Sequence, residues 1–363
     1  MEKFKYVFLI FFINLIFSQQ DKEVRALWIV RDHMANAGLI DKSVDFAIKN
    51  KFNNIFVQVR GRGDAFYNSN FVPKSKLVAN DFDPLKYILN KCSETNIKVH
   101  AWLNIYYLWS SKQRPTYDNH LLLTKPSWLD RKEDDEYISG GKFLYNDNYN
   151  IDGEGFFLAP TNLEVNNYLL DVISELSNNY QLDGIHYDYI RYHSISYGYN
   201  LNGYEYISKN QVEENNIDIS LLNNLKRNAI TDFIKRSKFI IKEVLPNCII
   251  SAAVKPNIYN AKLIYGQEWD LWLSAGYLDW VVPMNYLVDD NDFIKNIYIM
   301  KDNIPEKHYS KIIIGVSTYN QSARSAGRKV SRLKKMNFKN ISIFSYNTMS
   351  TNPYYWKRLK KYF

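Results

Sequence analysis

The chain has 363 residues, 46% of them hydrophobic and 23% charged, a globular composition that excludes a disordered or fibrous protein. Lys and Arg outnumber Asp and Glu by 46 to 38. The resulting charge of +8 is scattered, so it predicts solubility and weak anion attraction and defines no nucleic-acid site. Aromatic residues make up 16%, with 29 Tyr, 20 Phe and 8 Trp; such faces can stack on sugars or bases, and core packing alone can account for most of them.

Lys3 and Lys5 precede an apolar run over residues 7–17, which Ser18-Gln19-Gln20 ends. A charged start, a short apolar middle and a polar exit predict an export signal over residues 1–20. The run is too short to cross a bilayer as a conventional helix. The rest of the chain, 21–363, is expected to be one domain, secreted or periplasmic, with no stable membrane span after cleavage. Cys92 and Cys248 stand in no Cys-rich spacing and are expected as two buried free thiols.

Eight short apolar runs then recur, at 25–30, 54–60, 98–104, 182–189, 249–255, 278–285, 311–317 and 341–347. Helical patterns lie between them at 41–49, 84–95, 162–179, 222–244, 261–275, 292–302 and 323–336. Asp83-Pro84 marks one start clearly, with Asp as cap and Pro at the first helical position. Strands alternating with helices imply a parallel sheet, and eight such units predict an α/β fold of the TIM (β/α)8 barrel class. An open doubly wound sheet is disfavoured because no Gly-rich phosphate loop follows the first strand. Two long loops, 105–161 after the third strand and 192–221 after the fourth, leave strand C-termini, where barrel enzymes build their sites. They are expected to wall a substrate cleft.

The densest polar signal is Asp183-Gly184-Ile185-His186-Tyr187-Asp188-Tyr189-Ile190-Arg191 on the fourth strand. Polar groups in a buried strand need partners or a function. Period-two alternation puts His186 and Asp188 on one face, opposite Ile185 and Tyr187. With that face toward the barrel axis, Asp188 stands near the catalytic rim. His186 sits one layer below, where it can orient or protonate a neighbour, and Arg191 can anchor a carboxylate. The alternative is an ion-pair cluster tying a loop to the barrel. By the same alternation Gln58 and Arg60 share a face of strand two, and His100, Trp102 and Asn104 share one of strand three. Lys255 closes strand five and Tyr286 follows strand six. A cleft of Trp, Tyr, Asn, Gln and Asp suits a polyhydroxylated ligand.

At these residues the chain resembles the bacterial glycoside-hydrolase-like family ten. The stretches that carry the resemblance begin with Arg25-Ala-Leu-Trp28, Gln58-Val-Arg60-Gly-Arg-Gly-Asp64 and His100-Ala-Trp102-Leu-Asn104. They continue in order with Asp183-Gly184-Ile185-His186-Tyr187-Asp188, Asp279-Trp-Val-Val-Pro283-Met284-Asn-Tyr286 and Phe344-Ser345-Tyr346. The resemblance implies a TIM barrel in a secreted or envelope protein acting on glycans, with peptide-free peptidoglycan strands as one substrate class. It implies Asp188 as the leading catalytic carboxylate, with Gln58, Arg60, Asp64, Trp102, Asn104, His186 and Tyr286 lining the sugar site. Met284 stands where relatives commonly carry Gln, and Tyr189 where many have a second Asp. These departures keep a catalytically inactive glycan-binding barrel as the alternative.

Glycoside hydrolysis normally uses two carboxyl groups flanking the bond. Asp188 is the first, and Asp64, after strand two, is the leading expectation for the second. Asp32, Glu154 and Asp289 are alternatives, whereas Asp183 and Asp279 sit at strand starts and are better structural caps. Substrate-assisted hydrolysis by an N-acetyl group would need no second protein acid. No compact His cluster predicts a metal and no Gly-x-Ser-x-Gly elbow predicts a serine hydrolase. The expected partner is a polysaccharide or oligosaccharide, with no cofactor and no nucleic acid.

Overall fold

The structure, a computed structural model, describes residues 23–132, 153–200 and 219–363. The expected export signal lies outside them, as do Ser139-Gly140-Gly141 and most of the Tyr- and Asn-rich loop after the fourth strand. Eight strands form one parallel sheet: β1 (Arg25–Ile29), β2 (Asn54–Arg60), β3 (Lys98–Asn104), β4 (Gly184–Asp188), β5 (Ile249–Val254), β6 (Trp280–Pro283), β7 (Ile314–Ser317) and β8 (Ile341–Phe344). Consecutive strands pair from β1 to β6, β7 pairs with β8, and β8 returns to β1. Parallel bridges Val281–Ile312 and Met284–Gly315 close the seam between β6 and β7. The result is a TIM (β/α)8 barrel, as the strand–helix alternation predicts.

The helices begin where short polar side chains satisfy their first free N–H groups. Asp83 accepts from Lys86 N at 3.0 Å with Pro84 behind it, and Asn162 caps Leu163–Asn179. Asn36 does the same for Ala37–Lys49, which therefore starts one turn before the expected 41. The helix expected at 261–275 is two, Ile258–Tyr265 and Trp269–Ser274. Gly266, at φ 70°, ends the first in a left-handed cap that a side chain would strain. Gln267 then ties this break to the end of β5, accepting from Lys255 N at 2.9 Å and donating to Ala253 O at 3.1 Å. β8 ends at Phe344 rather than 347, because Tyr346–Thr351 turns helical and Pro353–Leu359 follows.

Both faces of the strands are buried, as a parallel sheet requires. Leu27, Ile55, Val57, Val99 and Ile185 face the helices, while Ala26, Trp28, Phe56, Trp102, Ala253, Val282 and Ile313 fill the interior. Trp28 is central there, with ring centroids 4.9 Å from Phe56 and 4.8 Å from both Trp102 and His186. Gly184 makes room for His100, since a Cβ there would stand 2.0 Å from His100 Nδ1.

Cys92 and Cys248 are buried free thiols, and burial pushes them up to about 11 and about 12. No helix among the described residues is long and apolar enough to cross a membrane. The loop after β3 is not structureless at its ends: Tyr107–Trp109 and Phe156–Phe157 pair as a short antiparallel ribbon.

Candidate active site

Asp188 is the last residue of β4, in register with Asn104 of β3, and is 6% exposed. Its Oδ1 accepts from Tyr189 N at 2.7 Å. Burial raises the carboxyl to about 6, and the like charge of Glu154 adds to the rise. The Tyr189 N–H, Arg191 and Lys255 oppose it. A carboxyl near 6 holds its proton in mildly acidic water and can give it away, the property a general acid needs.

Arg191 lies three residues further on and is itself buried, its guanidinium 4.7 Å above the Tyr189 ring and 5.3 Å from that of Tyr265. The carboxylate it holds is the protein's own: Nη2 meets Glu154 Oε2 at 2.5 Å. Burial pushes the Glu154 carboxyl up, but the charge and hydrogen bond of Arg191 outweigh it and hold Glu154 below the usual carboxylate range. Lys255 completes the corner with its Nζ 4.6 Å over the Tyr265 ring. Burial and Arg191 lower its ammonium, against Glu154 and Asp188.

Aromatic rings form the opposite wall. Tyr286 stacks on Phe344 at 5.3 Å and 28°, and the exposed Tyr319 meets both edge-on at 6.4 and 6.0 Å. Burial and the nearby Asp188 charge raise the Tyr286 phenol far above its ordinary range. Below the rim, Trp102 donates Nε1–H to Asn104 Oδ1 at 3.1 Å, and Gln58 Nε2 donates to the same oxygen at 3.4 Å. Asn104 Nδ2 donates to Gly61 O, and Gln58 Oε1 accepts from Arg31 N. These two amides brace the rim from beneath.

Four expected residues are placed differently. Arg60 does not share a face with Gln58. A bulge between Gln58 and Arg60 brings Arg60 into register with Leu103, whose side chain faces the helices. Its fully buried guanidinium donates to the Asn104 and Ile105 carbonyls, so it supports the loop after β3 from behind. His186 is interior and wholly buried, bonded to Ser251 Oγ at 2.8 Å against Phe56 and Trp28. Burial holds its ring neutral, and these contacts make it a packing group of the barrel interior rather than the group expected to orient or protonate a neighbour. His100 sits deeper still, where burial lowers it to about 4 and Nε2 donates to Asn54 Oδ1 at 2.8 Å. Asp64 closes its own turn, accepting from Arg62 N at 2.9 Å with Arg31 Nη1 4.0 Å away.

Among the alternatives, Asp289 caps the helix Asp290–Asn303 and Asp32 is exposed beside Arg31. Asp183 and Asp279 bind backbone N–H groups of Val99 and Ile250 at strand starts, as their positions predict. The residue-type reading missed Tyr319 as a wall residue, although an aromatic two positions past the end of β7 was a usable signal.

The model of the family described as "Glycosyl hydrolase-like 10" matches residues 23–325. "Glycosyl hydrolase YngK" of Bacillus subtilis (strain 168) is 25% identical over 303 residues, covering 74% of this chain and 55% of that protein. "Glycosyl hydrolase DigH" of Escherichia coli (strain K12) is 27% identical over 164 residues, 44% of this chain and 35% of its own. The chain thus spans about half the length of YngK and less of DigH. Among solved structures, the PgaB (BpsB) glycoside hydrolase domain from Bordetella bronchiseptica superposes with a TM-score of 0.68 at 11% identity, covering 93% of this chain and 98% of that one. The α-L-fucosidase isoenzyme 2 from Paenibacillus thiaminolyticus gives 0.61 at 14%, over 94% of this chain and 49% of that one. These likenesses show the same barrel. With the family model covering most of its length, the chain belongs to the glycosyl hydrolase-like 10 family.

Proposed function

We propose that this protein is an exported glycoside hydrolase that cleaves O-glycosidic bonds within a polysaccharide, with peptide-free glycan strands of peptidoglycan as its substrate class. The observation that carries the reading is Asp188. It is a buried carboxyl raised to about 6 at the C-terminal end of a central barrel strand, facing an aromatic wall. Protonated, it can donate to the oxygen of a departing sugar. Tyr319 and Tyr286 offer flat faces to a pyranose ring, and Lys255 offers a donor to its oxygens. The names of YngK and DigH, both glycosyl hydrolases, agree with this reading. Export is supported by the Lys3, Lys5 and apolar 7–17 pattern.

The test is intact-mass analysis of purified cell-wall glycans, with and without their peptides, after incubation with wild type and with Asp188→Asn. Shortened products from wild type alone support the reading, and their ends identify the linkage. If both proteins leave both substrates whole while still retaining them in a pull-down, the inactive glycan-binding barrel replaces it.

A further inference from the structure

Glu154 is presented by an unusual piece of backbone. Gly153 and Gly155 flank it, at φ 53° and 124°. A Cβ on Gly155 would stand 2.2 Å from the Trp109 carbonyl, and one on Gly153 would stand 3.0 Å from the His193 ring. The chain can thus press against the Tyr107–Trp109 strand on one side and the loop after β4 on the other only because both neighbours are glycine. Glu154 N donates to His193 Nε2 at 3.2 Å, which fixes the same turn to the loop after β4 that carries Arg191. The side chain then reaches Arg191, where only Oε2 is engaged among the described residues, and it remains 42% exposed.

Asp188 is acted on by the charges of Arg191, Glu154 and Lys255, whereas Asp64 is held in its own turn by Arg62 N. The two carboxyl groups that share this corner are also pushed in opposite senses, Asp188 upward by burial and Glu154 downward chiefly by Arg191 against its own burial. Environments that separate two acids in this way divide the proton-donating role from the ionised one.

We infer that Glu154 is the second carboxylate of the site, held by its ion pair with Arg191 and presented by the Gly153–Gly155 turn to the anomeric carbon of the bond that Asp188 helps to break. This rests on the hydrolase reading above. As the bond between the anomeric carbon and the bridging oxygen breaks, the leaving oxygen takes its proton from Asp188. A water oxygen bonds to the anomeric carbon and its proton passes to Glu154. One water is consumed, and the proton balance is restored when Asp188 is reprotonated and Glu154 gives up its proton.

The test compares wild type, Glu154→Gln and Glu154→Ala on the glycan that wild type cleaves, with kcat/KM followed across pH and with sodium azide added. Loss of a general base costs roughly 100-fold to 10,000-fold in kcat. That loss is expected in both variants, together with disappearance of the acidic limb of the pH profile. In the Ala variant, azide is expected to restore turnover by filling the vacated space and to give a glycosyl azide with the configuration opposite to the original linkage. Loss of the Arg191 ion pair alone would lower stability but would not produce that adduct. If wild type cleaves the glycan while Glu154→Gln keeps more than a tenth of its activity with its acidic limb intact, the inference fails and the hydrolase reading survives. A wild type that cleaves nothing removes both.

Discussion

Replacing Asp188 by Asn separates what the residue does for chemistry from what it does to the fold. Burial lifts the carboxyl from the ordinary 3.8 to about 6. The folded value lies above the unfolded one, so between the two the unfolded chain has released its proton while the folded chain still holds it. Stability contributed by the neutral acid is therefore full below 3.8, falls as pH rises through about 6, and then levels off. Linkage puts the loss at about 0.5 kcal/mol at pH 4 and about 3 kcal/mol at pH 8. Asn keeps an acceptor for the Tyr189 N–H and never ionises. Urea unfolding should show Asp188→Asn more stable than wild type by those amounts, and inactive at both pH values. A variant less stable than wild type at pH 8, or one whose advantage is the same at pH 4 and pH 8, would refute the picture of a buried acid kept protonated by its surroundings.

His100 should behave in the opposite sense: burial lowers it from 6.5 to about 4, so its stability is full above 6.5 and is lost as pH falls toward 4. Linkage makes that loss about 3 kcal/mol, and urea titrations of His100→Gln, which can still bond Asn54, should show it largely removed. Gly184→Ala drives a methyl group to within 2.0 Å of His100 Nδ1. A loss of about 1–3 kcal/mol is expected, and a thermal midpoint unchanged from wild type would show that the barrel floor can yield. Tyr319 is 62% exposed, so Tyr319→Ala should leave stability within about 0.5 kcal/mol. If Tyr319 stacks on the sugar, the same change should raise KM roughly fivefold, equivalent to about 1 kcal/mol of ring contact.

Much of the barrel could be read directly because its determinants are local. β2 and β3 keep the expected bounds, and Asp83-Pro84 starts its helix as the residue types dictate. Errors gathered where one local rule overrode another. An apolar pattern running through 261–275 hid the break at Gly266, since helical periodicity survives a turn that reverses the backbone for a single residue. The pattern of the final strand overruns its true end because its apolar run continues straight into the helix Tyr346–Thr351, and hydrophobicity alone does not mark that change of period.

The site was legible to the extent that strand alternation holds. It puts His186 and Asp188 on the interior face, and Trp102 with Asn104 beside them, and it fails at the bulge in β2, where one extra residue turns Arg60 toward the helices. Alternation also says which face a residue takes but not how deep it lies, and depth decides chemistry here. His186 and Asp188 share the interior face two residues apart, yet burial suppresses the charge of the histidine and keeps the aspartate poised near 6. The partner acid was harder still, because it comes from a loop. Glu154 and Arg191 are 37 residues apart in the chain and meet through one turn flanked by two glycines and a loop contact, neither of which has a periodic signature. What did mark the position is the residue pattern Gly153-Glu154-Gly155 itself. A carboxylate between two glycines at φ 53° and 124° is held by backbone that most side chains would exclude. A turn that restrictive is explained by the position it gives its central residue, and that position is the ion pair with Arg191, three residues beyond Asp188.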